Sequence, residues 1–272
     1  MSAVSFRDLQ KGLRELGLTP DSRVLLAAAL PPFGAVRGGA ETVAGAVASL
    51  CRLVLSPSFT FQCRVWPLAG PPNNGTRYAG HENENASAEI FGLEQPVHPS
   101  LGPVAEAMRH VPGALRSLHP LYSFVAVGAE AERTLLAQSL AEPLGPIAHL
   151  AEAEAGADVL LLGADHTANL GLHYAEARAG RKQFVRWALT SKGAVECPGC
   201  PGCPDGFNAV VPHLRSIARV AQIGTARVER IPLAGLVQIV VPLLRRNPTA
   251  LLCTRAGCER CYAVRAVLAL PA

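Results

Sequence analysis

The stretch ADVLLLGADHTANLGLHYAEAR, residues 157–178, carries the strongest information about the fold. Its first part, residues 157–163, is a short apolar run that is typical of a strand buried in a sheet. Its second part places His173 and Glu176 three positions apart where a helix is predicted, and such positions share one helical face. The stretch therefore predicts a strand followed by a helix with a polar pair on one turn. The pair could be a proton relay or an ordinary feature of a helix start.

The same alternation of strand and helix recurs along the chain and predicts an α/β fold. An amphipathic helix is expected at residues 5–16, with Ser5 and Asp8 as its capping box and Gly17 at its end. Residues 182–190 have strand character and could run antiparallel, so we expect a three-layer α/β/α domain with a mixed central sheet. The other predicted strands are 22–30, 52–61 and 121–128, and the other predicted helices are 38–51, 129–140, about 206–221 and about 232–246.

The composition excludes several classes of protein. Of 272 residues, 49% are hydrophobic and 17% are charged, which suits a sizeable core and argues against disorder. The net charge of +4 is spread along the chain without a basic block, so nucleic acid is not an expected partner. The apolar runs are shorter than a membrane span, and the N-terminus has no signal-peptide core. We expect a cytoplasmic protein without a membrane partner, either a monomer or a homodimer.

Six of the eight cysteines fall after residue 190 and predict a metal site. The segment CPGCPGC contains consecutive Cys-x-x-Cys steps, and CTRAGCERC adds three more thiols. In a cytosolic chain this spacing favours a structural zinc ion held by four thiolates over a disulfide. An iron–sulfur cluster, unliganded thiols and a redox disulfide pair are the alternatives. The candidate ligands are Cys197, Cys200, Cys203, Cys253, Cys258 and Cys261.

The long segment 64–101 breaks the alternation, because it is rich in proline, asparagine and glutamate. A loop of this length inside a compact domain is usually functional or mobile. Its glutamates, Glu82, Glu84 and Glu89, could offer carboxylates to a cationic small molecule, or they could form a solvated polar surface.

Three segments in fixed order resemble the aminoglycoside 3-N-acetyltransferase family. They are PSFTF (57–61), PGALRSLHPLYSFVAVG (112–128) and LLLGADHTANLGLHYAE (160–176). They match the family's Pro-x-Phe-Thr, Arg-Ser-x-His-Pro-x-x-Ser and His-x-Ala-Glu patterns. On this resemblance, residues 1–190 form an acetyltransferase-like α/β core. Residues 191–272 are then a C-terminal part of the same domain, with the six-cysteine candidate site.

The resemblance implies direct transfer of an acetyl group from acetyl coenzyme A to an amine of a small, cationic, aminoglycoside-like acceptor. His173 would be the general base, and Glu176 would orient it or anchor the substrate. Arg116 could pair with a phosphate of the coenzyme or belong to a structural ion pair. The residues that the resemblance places on the coenzyme side are Thr60, Arg116, Ser117, His119 and Ser123.

The chain departs from the family's pattern mainly on the donor side. Ala27, Ala28 and Ala29 stand where the family has His-Ser-Ser, which removes hydroxyl groups expected near the coenzyme. Glu142 replaces a serine, and a carboxylate near a polyphosphate would be repulsive. Backbone amides at the helix start in residues 37–42 could take over the phosphate contacts.

These departures leave three interpretations open within the family. The chain could be an acetyltransferase with altered donor contacts, or an acyltransferase for a different donor or a biosynthetic amine. It could also be a degenerate, non-catalytic zinc protein that binds a ligand or a partner. A metal-dependent hydrolase is the interpretation outside the family, with Asp165 and His166 as the ligands nearest to His173.

Overall fold

The computed structural model of the chain describes residues 3–269, whose strands form two sheets. The first sheet has seven strands and the second has three. The strands are β1 (Arg23–Ala28), β2 (Leu53–Pro57), β3 (Arg64–Val65), β4 (Leu115–Arg116), β5 (Phe124–Gly128), β6 (Asp158–Leu162), β7 (Phe184–Thr190), β8 (Gly193–Cys200), β9 (Arg219–Ile223) and β10 (Ala226–Pro232).

Helices follow most of the strands and differ widely in length. The longest is the last but one, and no helix in the described part of the chain has both the length and the apolar character needed to cross a membrane. The helices are α1 (Phe6–Glu15), α2 (Gly39–Ala48), α3 (Glu82–Ala86), α4 (Gly102–Arg109), α5 (Ala131–Leu136), α6 (Gly145–Glu152), α7 (Leu170–Arg178), α8 (Val211–Leu214), α9 (Leu233–Arg246) and α10 (Glu259–Leu268).

The large sheet is mixed, as the sequence predicts. Its strand order is β4–β5–β2–β1–β6–β10–β9. The three central strands β2, β1 and β6 are parallel, whereas β5 and β10 pair antiparallel to them. Parallel strands need crossover connections, and the helices between these strands supply them.

Helices cover both faces of the large sheet, which confirms the predicted three layers. Successive side chains of a strand point to opposite faces. On β1, Val24 and Leu26 face a core shared with α1, α2 and α4. Leu25 and Ala27 face a second core shared with α6, α7 and α9. β1 is therefore buried on both sides, which explains its continuous apolar sequence.

The small sheet has the order β3–β7–β8, and both of its pairings are antiparallel. The stretch predicted as a strand at residues 182–190 is β7, and its antiparallel direction agrees with the interpretation of the sequence. It lies in this second sheet and not in the central one.

Two predicted helices are wrong in extent or in kind. The helix expected at residues 129–140 ends at Leu136, and a separate helix α6 begins only at Gly145. The helix expected at about 206–221 does not form: a short helical segment ends at Leu214, and β9 follows it. Pairing with β10 gives the backbone of β9 its hydrogen bonds, and this tertiary contact overrides the local helical pattern.

Other local predictions are confirmed. α1 begins with the expected capping box, in which Ser5 and Asp8 exchange hydrogen bonds between side chain and backbone. Gly17 follows this helix with φ of +92°, a backbone conformation that favours glycine. The helix expected at about 232–246 is α9.

The ends of β1 and β6 approach each other closely because the residue after β6 is a glycine. Gly163 has φ of +67°, and a Cβ atom there would lie 2.7 Å from the carbonyl oxygen of Ala29. Only glycine avoids both the strain and the clash. This approach shapes the crevice above the carboxyl ends of the parallel strands.

A three-residue ion cluster joins the starts of β1, β2 and α5. The carboxylate of Glu130 lies 2.8 Å from Arg23 and 2.7 Å from Arg52. Hydrogen bonds from Arg23 and then Arg52 lower the pKa of Glu130 to about 2. Because this pKa is lowered in the folded chain, the stabilisation is complete above the ordinary value of 4.5 and is lost as the pH falls towards about 2.

We predict that Glu130→Gln lowers the free energy of unfolding at neutral pH by up to about 1 kcal/mol, since solvent partly screens this half-buried cluster. Urea unfolding at about pH 7 and again at about pH 3 measures the effect, and the difference from the parent chain should shrink at the lower pH. Glu132→Gln, at a neighbouring exposed position, is the control. An equal loss in both variants would contradict the role given to Glu130.

Candidate active site

A cavity of about 530 Å³ opens above the carboxyl ends of the parallel strands β1, β2 and β6. Its floor includes Ala27 to Ala29 at the end of β1, Ser56 in β2 and Ala164 after β6. Ligands of open α/β sheets bind in a crevice at this edge of the sheet. His173 of α7 also lines the cavity, so the predicted base lies where a substrate would be expected.

His173 belongs to a buried chain of three charged or polar groups. Its Nδ1 lies 2.8 Å from Oε2 of Glu176, and Oε1 of the same carboxylate accepts a hydrogen bond of 2.6 Å from Arg181. Arg181 also donates to the carbonyl oxygens of Pro248 and Ala250. The glutamate is therefore fixed between a guanidinium and the imidazole.

The local sequence explains how the histidine is positioned. Asn169 caps α7 by accepting a hydrogen bond of 3.0 Å from the backbone N–H of Gly171. This places His173 in the first turn, and its ring packs edge-on against Phe207 at 4.7 Å between centroids. A side chain held by a cap, a carboxylate and an aromatic ring has little rotational freedom.

This arrangement suits proton transfer. Because Nδ1 is bonded to Glu176, Nε2 is the ring nitrogen available to the cavity, and it makes no hydrogen bond within residues 3–269. A neutral imidazole of this kind can take a proton from an amine or a hydroxyl, and the carboxylate then stabilises the imidazolium. The predicted pair His173–Glu176 is thus brought together at a cavity.

Sequence reasoning missed Arg181, the third member of this chain of groups. It lies beyond the end of α7 at Arg178, directly after Gly180, and it therefore does not share the helical spacing that drew attention to Glu176. A basic residue just after a helix has many surface roles, so the sequence alone offered no way to select it.

The rest of the cavity wall is mostly apolar, with few charges. Ser56, Ser100 and Thr167 contribute hydroxyl groups, of which that of Thr167 donates to Asp165 and that of Ser100 is bonded to His98. Within the described residues, the one carboxylate of the lining is Asp205, and it is already paired with Arg255 at 3.0 Å. Besides His173 and Asp205, the wall carries the guanidinium of Arg260.

None of the five residues predicted for the coenzyme lines this cavity. The guanidinium of Arg116 donates its hydrogen bonds to groups within the protein. The acceptors are the carbonyl oxygens of Ser58, Leu93 and Gln95 and the hydroxyl of Ser123. Arg116 therefore forms no ion pair with a carboxylate of the described residues and does not point a donor into the cavity. It holds the segment before β5 against the end of β2.

The other four predicted coenzyme residues also serve the backbone. The hydroxyl of Ser117 accepts from the N–H of Phe124, and the hydroxyl of Thr60 donates to the carbonyl of Pro120. Ser123 donates to the carbonyl of Ser58. These hydrogen bonds support the turn between β4 and β5. The coenzyme role of all these residues therefore stays a prediction.

His119 is the clearest case of such a support. Its Nδ1 accepts hydrogen bonds from the N–H groups of Leu121 and Tyr122. Burial lowers the pKa of His119 to about 4, so the ring is neutral at physiological pH. His119 lines a separate groove with Arg116 and Ser117, away from His173.

The long loop contributes to the cavity, but not through its glutamates. Ser100 and Leu101 lie in the wall, whereas Glu82 and Glu84 belong to the short helix α3 and Glu89 bonds to Gln95. The residues 37–42, predicted as a substitute phosphate site, are also absent from the lining. The carboxylates expected for a cationic acceptor are therefore not on this wall.

Four of the six candidate metal ligands converge. The Sγ atoms of Cys203, Cys253, Cys258 and Cys261 all lie within 4.8 Å of one another, and all four residues are buried. Thiolates bound at about 2.3 Å to a tetrahedral zinc ion lie about 3.8 Å apart, so a small closure of the cluster would suit this metal. We call these residues the four-cysteine cluster.

One thiol of the cluster, that of Cys258, has a lowered pKa. Burial opposes this, but the N–H of Cys261, the thiols of Cys253 and Cys203, and Arg255 together lower the pKa of Cys258 to about 6. The pKa of Cys203 is raised, first by its contact with Cys261 and then by burial. A cluster with one thiolate and an adjacent cation is typical of a site that takes up a metal ion with release of protons.

Cys197 and Cys200 do not join the cluster. Both lie on β8 in the large hydrophobic core, and the thiol of Cys200 donates to the carbonyl of Cys197. Burial raises the pKa of each to about 12, so they remain neutral thiols. The Cys-x-x-Cys steps of CPGCPGC therefore do not form one ligand knuckle.

Asp165 and His166, the ligands of the hydrolase interpretation, have other partners. Asp165 accepts from Thr167 and Asn208. His166 is buried, with Nε2 3.7 Å from Glu229. Across residues 3–269, the four-cysteine cluster is the one converging group of three or more potential ligands.

Comparison with known proteins identifies a family that this chain resembles. A family model described as aminoglycoside 3-N-acetyltransferase matches residues 25–245. The chain is 36% identical over 185 residues to aminoglycoside N(3)-acetyltransferase VIII of Streptomyces fradiae, a match that covers 66% of this chain and 63% of that protein. The match thus spans less than two thirds of the length of this curated relative.

Solved structures share the whole fold. The apoenzyme of aminoglycoside acetyltransferase AAC(3)-IVa superposes with a TM-score of 0.78 at 25% identity and covers 98% of both chains. A variant of that enzyme, in complex with a gentamicin, gives a TM-score of 0.75 at the same identity and coverage. AAC-IIIb bound to CoASH gives 0.73 at 23% identity and covers 90% of this chain and 97% of its own.

Proposed function

The chain belongs to the aminoglycoside 3-N-acetyltransferase family, and we propose that it is a coenzyme A-dependent N-acetyltransferase. Its acceptor is an amine of a small, aminoglycoside-like molecule. The observation that carries the proposal is His173, which is held by Glu176 at 2.8 Å and lines a cavity at the substrate edge of the sheet. The family and a neighbour bound to CoASH support the donor, and a neighbour in complex with a gentamicin supports an amine acceptor.

The reaction is a direct transfer. Nε2 of His173 takes a proton from the acceptor ammonium or from the attacking amine, and the amine nitrogen attacks the thioester carbonyl carbon. The carbon–sulfur bond then breaks, and the departing thiolate of coenzyme A takes up a proton. Glu176, itself held by Arg181, stabilises the imidazolium between these steps.

A hydroxyl group on the wall is the side-chain donor for the oxyanion. When the amine attacks, the thioester oxygen becomes negative, and nearby N–H or O–H groups stabilise it. Ser56 lines the cavity with His173 and fits this role, whereas the hydroxyl of Thr167 already donates to Asp165. Ser56 takes the place of the side-chain donors that Ala27 to Ala29 lack.

The alanines also support a second candidate, transfer from a different acyl donor. Ala28 and Ala29 lie in the cavity lining, so the loss of polar side chains falls at the cavity itself. An apolar wall there accepts a longer or bulkier acyl group more readily than a wall of hydroxyl groups.

We further propose that the four-cysteine cluster binds a structural zinc ion. Four thiolates leave no open coordination position, so the ion would not take part in catalysis. The ligands flank the cavity wall: Gly202 and Asp205 stand beside Cys203, and Arg260 precedes Cys261. Bound zinc would therefore fix one wall of the cavity by holding these two segments together.

Acetyl coenzyme A should bind to the purified chain with a Kd on the order of 10–100 µM by calorimetry, because a working donor site needs affinity near cellular substrate levels. Plain coenzyme A is the control and should bind comparably, since most of the contact area is shared. A longer acyl coenzyme A that binds at least about tenfold more tightly would favour the second candidate. No binding of any of these donors at millimolar concentration would refute coenzyme A-dependent transfer.

His173→Ala should lower kcat by about 100-fold or more, because the amine loses its proton acceptor while the cavity keeps its shape. Steady-state acetylation with the best amine found in a screen measures this. His213→Ala is the matched control, since His213 is an exposed histidine of α8. A rate near that of the parent chain in His173→Ala would remove the base from this position.

Cys258→Ser should lower both the zinc content, from about one ion per chain, and the melting temperature, because the ligand set loses its thiolate. Metal analysis by mass spectrometry and thermal unfolding measure the two effects. Cys197→Ser is the control, because Cys197 is a buried cysteine outside the four-cysteine cluster, and this variant should keep its zinc. Full metal content in Cys258→Ser would exclude this residue from the ligand set.

A further inference from the structure

Three guanidinium groups gather beside the cavity, and no carboxylate in residues 3–269 forms an ion pair with any of them. They belong to Arg64 of β3, Arg186 of β7 and Arg260 of α10. We call them the arginine cluster. None of the three takes part in the chemistry assigned to His173.

Strand pairing brings the first two arginines together. Arg64 lies opposite Ala188 in the β3–β7 register, and Arg186 is two residues from Ala188 on the same strand. Residues two apart on a strand point to the same face. On β7 this face is the buried one, because Phe184, Arg186 and Ala188 are buried whereas Val185 and Trp187 are half-buried.

Arg260 of α10 lies close to Arg186, with the backbone of residues 74–75 between them. Arg186 donates to the carbonyl of Asn74 at 2.9 Å, and the next residue, Gly75, lies against Arg260. A Cβ atom at Gly75 would be 2.9 Å from the Cα of Arg260 and 2.8 Å from the ring of Phe184. The backbone at residues 74–75 is thus packed between the two arginines.

The hydrogen bonds of the cluster go only to neutral groups. Arg186 donates to the carbonyl oxygens of Asn74 and Val185, and Arg260 donates to that of Gly202. The Nε of Arg64 is buried without a hydrogen-bond partner in the described residues, and its guanidinium lies 4.4 Å from the ring of Trp66. Each arginine therefore keeps donors for a further group.

Burying like charges together is costly unless an anion compensates them. Burial, together with the charges of Arg186 and Arg260, lowers the pKa of Arg64 to about 10. The group remains a cation at physiological pH, so the repulsion persists in the free protein. An anionic ligand would relieve it and would make charge-assisted hydrogen bonds.

The cluster borders the cavity that holds the base. Arg260 lines this cavity together with His173, and Tyr122 is part of the same lining. Burial raises the pKa of Tyr122, and the charges of Arg186, Arg260 and Arg64 act in the opposite direction. All three cations therefore lie within electrostatic reach of one residue of the cavity wall.

We propose that the aminoglycoside-like acceptor carries an anionic group, a carboxylate or a phosphate, in addition to its amine, and that the arginine cluster binds this group. The inference rests on the proposed N-acetyltransferase function and names its substrate class. The single carboxylate found in the lining among the described residues, Asp205, is already paired with Arg255, so the wall offers few negative charges to a polycation. An anion on Arg260 would hold the rest of the acceptor in the same cavity as His173.

The test uses inorganic phosphate as the probe and the full chain loaded with zinc. Calorimetry is run with and without saturating coenzyme A. We expect phosphate to bind with a Kd on the order of 1 mM in both cases, because the anion site is separate from the donor site. Arg64→Gln and Arg260→Gln should each weaken phosphate binding by about tenfold or more.

Arg7→Gln is the matched control, because it removes the same charge from an exposed position of α1 and should leave phosphate binding unchanged. Arg260 is only half-buried on a helix, so its variant keeps the test decisive if Arg64→Gln does not fold. Phosphate binding that is unaffected in Arg260→Gln would overturn the proposal. A second outcome would also overturn it: coenzyme A displaces phosphate, and the variants bind coenzyme A more weakly. The arginine cluster would then bind the donor and not the acceptor.

Gentamicin separates this inference from the function on which it rests. We expect no binding of this polycation below about 1 mM, and stronger binding in Arg260→Gln than in the parent chain. Micromolar binding of gentamicin and its acetylation would confirm the proposed transferase and overturn the anionic acceptor. Failure of every acyl coenzyme A to bind, with phosphate binding still dependent on Arg260, would refute the transferase instead.

Discussion

Parallel pairing of the three strands β2, β1 and β6 determines most of what surrounds it. This pairing buries β1 on both faces, requires crossover connections and aligns the carboxyl ends of all three strands. The crevice at this edge follows from that alignment. α7 is the first α-helix after β6, and its capped first turn directs His173 towards the crevice. The position of the base is thus a result of the sheet and not of a special loop.

The parts of the fold with strong local patterns could be predicted, and those set by distant contacts could not. α1 has its capping box and α9 its apolar face in the sequence itself. β9 is different, because its strand form depends on β10, which follows it and supplies the hydrogen bonds. The pair His173–Glu176 is visible at helical spacing, whereas Arg181 joins it only through the chain's path after the helix.

The coenzyme and metal residues illustrate the same limit. Arg116 and His119 stand in a segment that resembles the family, yet their contacts support a turn, and no sequence pattern distinguishes a polar support from a ligand. By their spacing in the sequence, all six cysteines were equally good candidates for metal ligands. The pairing of β8 with β7 draws Cys197 and Cys200 into the core and leaves Cys203 free to meet the three thiols near α10. The arginine cluster likewise depends on two strands and a helix that are far apart in the chain.

The four-cysteine cluster also bears on how the molecule is made. Cys203 lies before β9, β10 and α9, and its three partners lie after them. On the ribosome, the strands β1 to β6 and the segment with His173 emerge first and can begin to pack. The wall that carries Gly202, Asp205 and Arg260 cannot close until α10 has been synthesised and its cysteines have reached Cys203. A nascent chain that does not yet include α10, or a chain shortened before it, would therefore possess the base and lack the enclosure, so a segment far from His173 in the sequence completes the site.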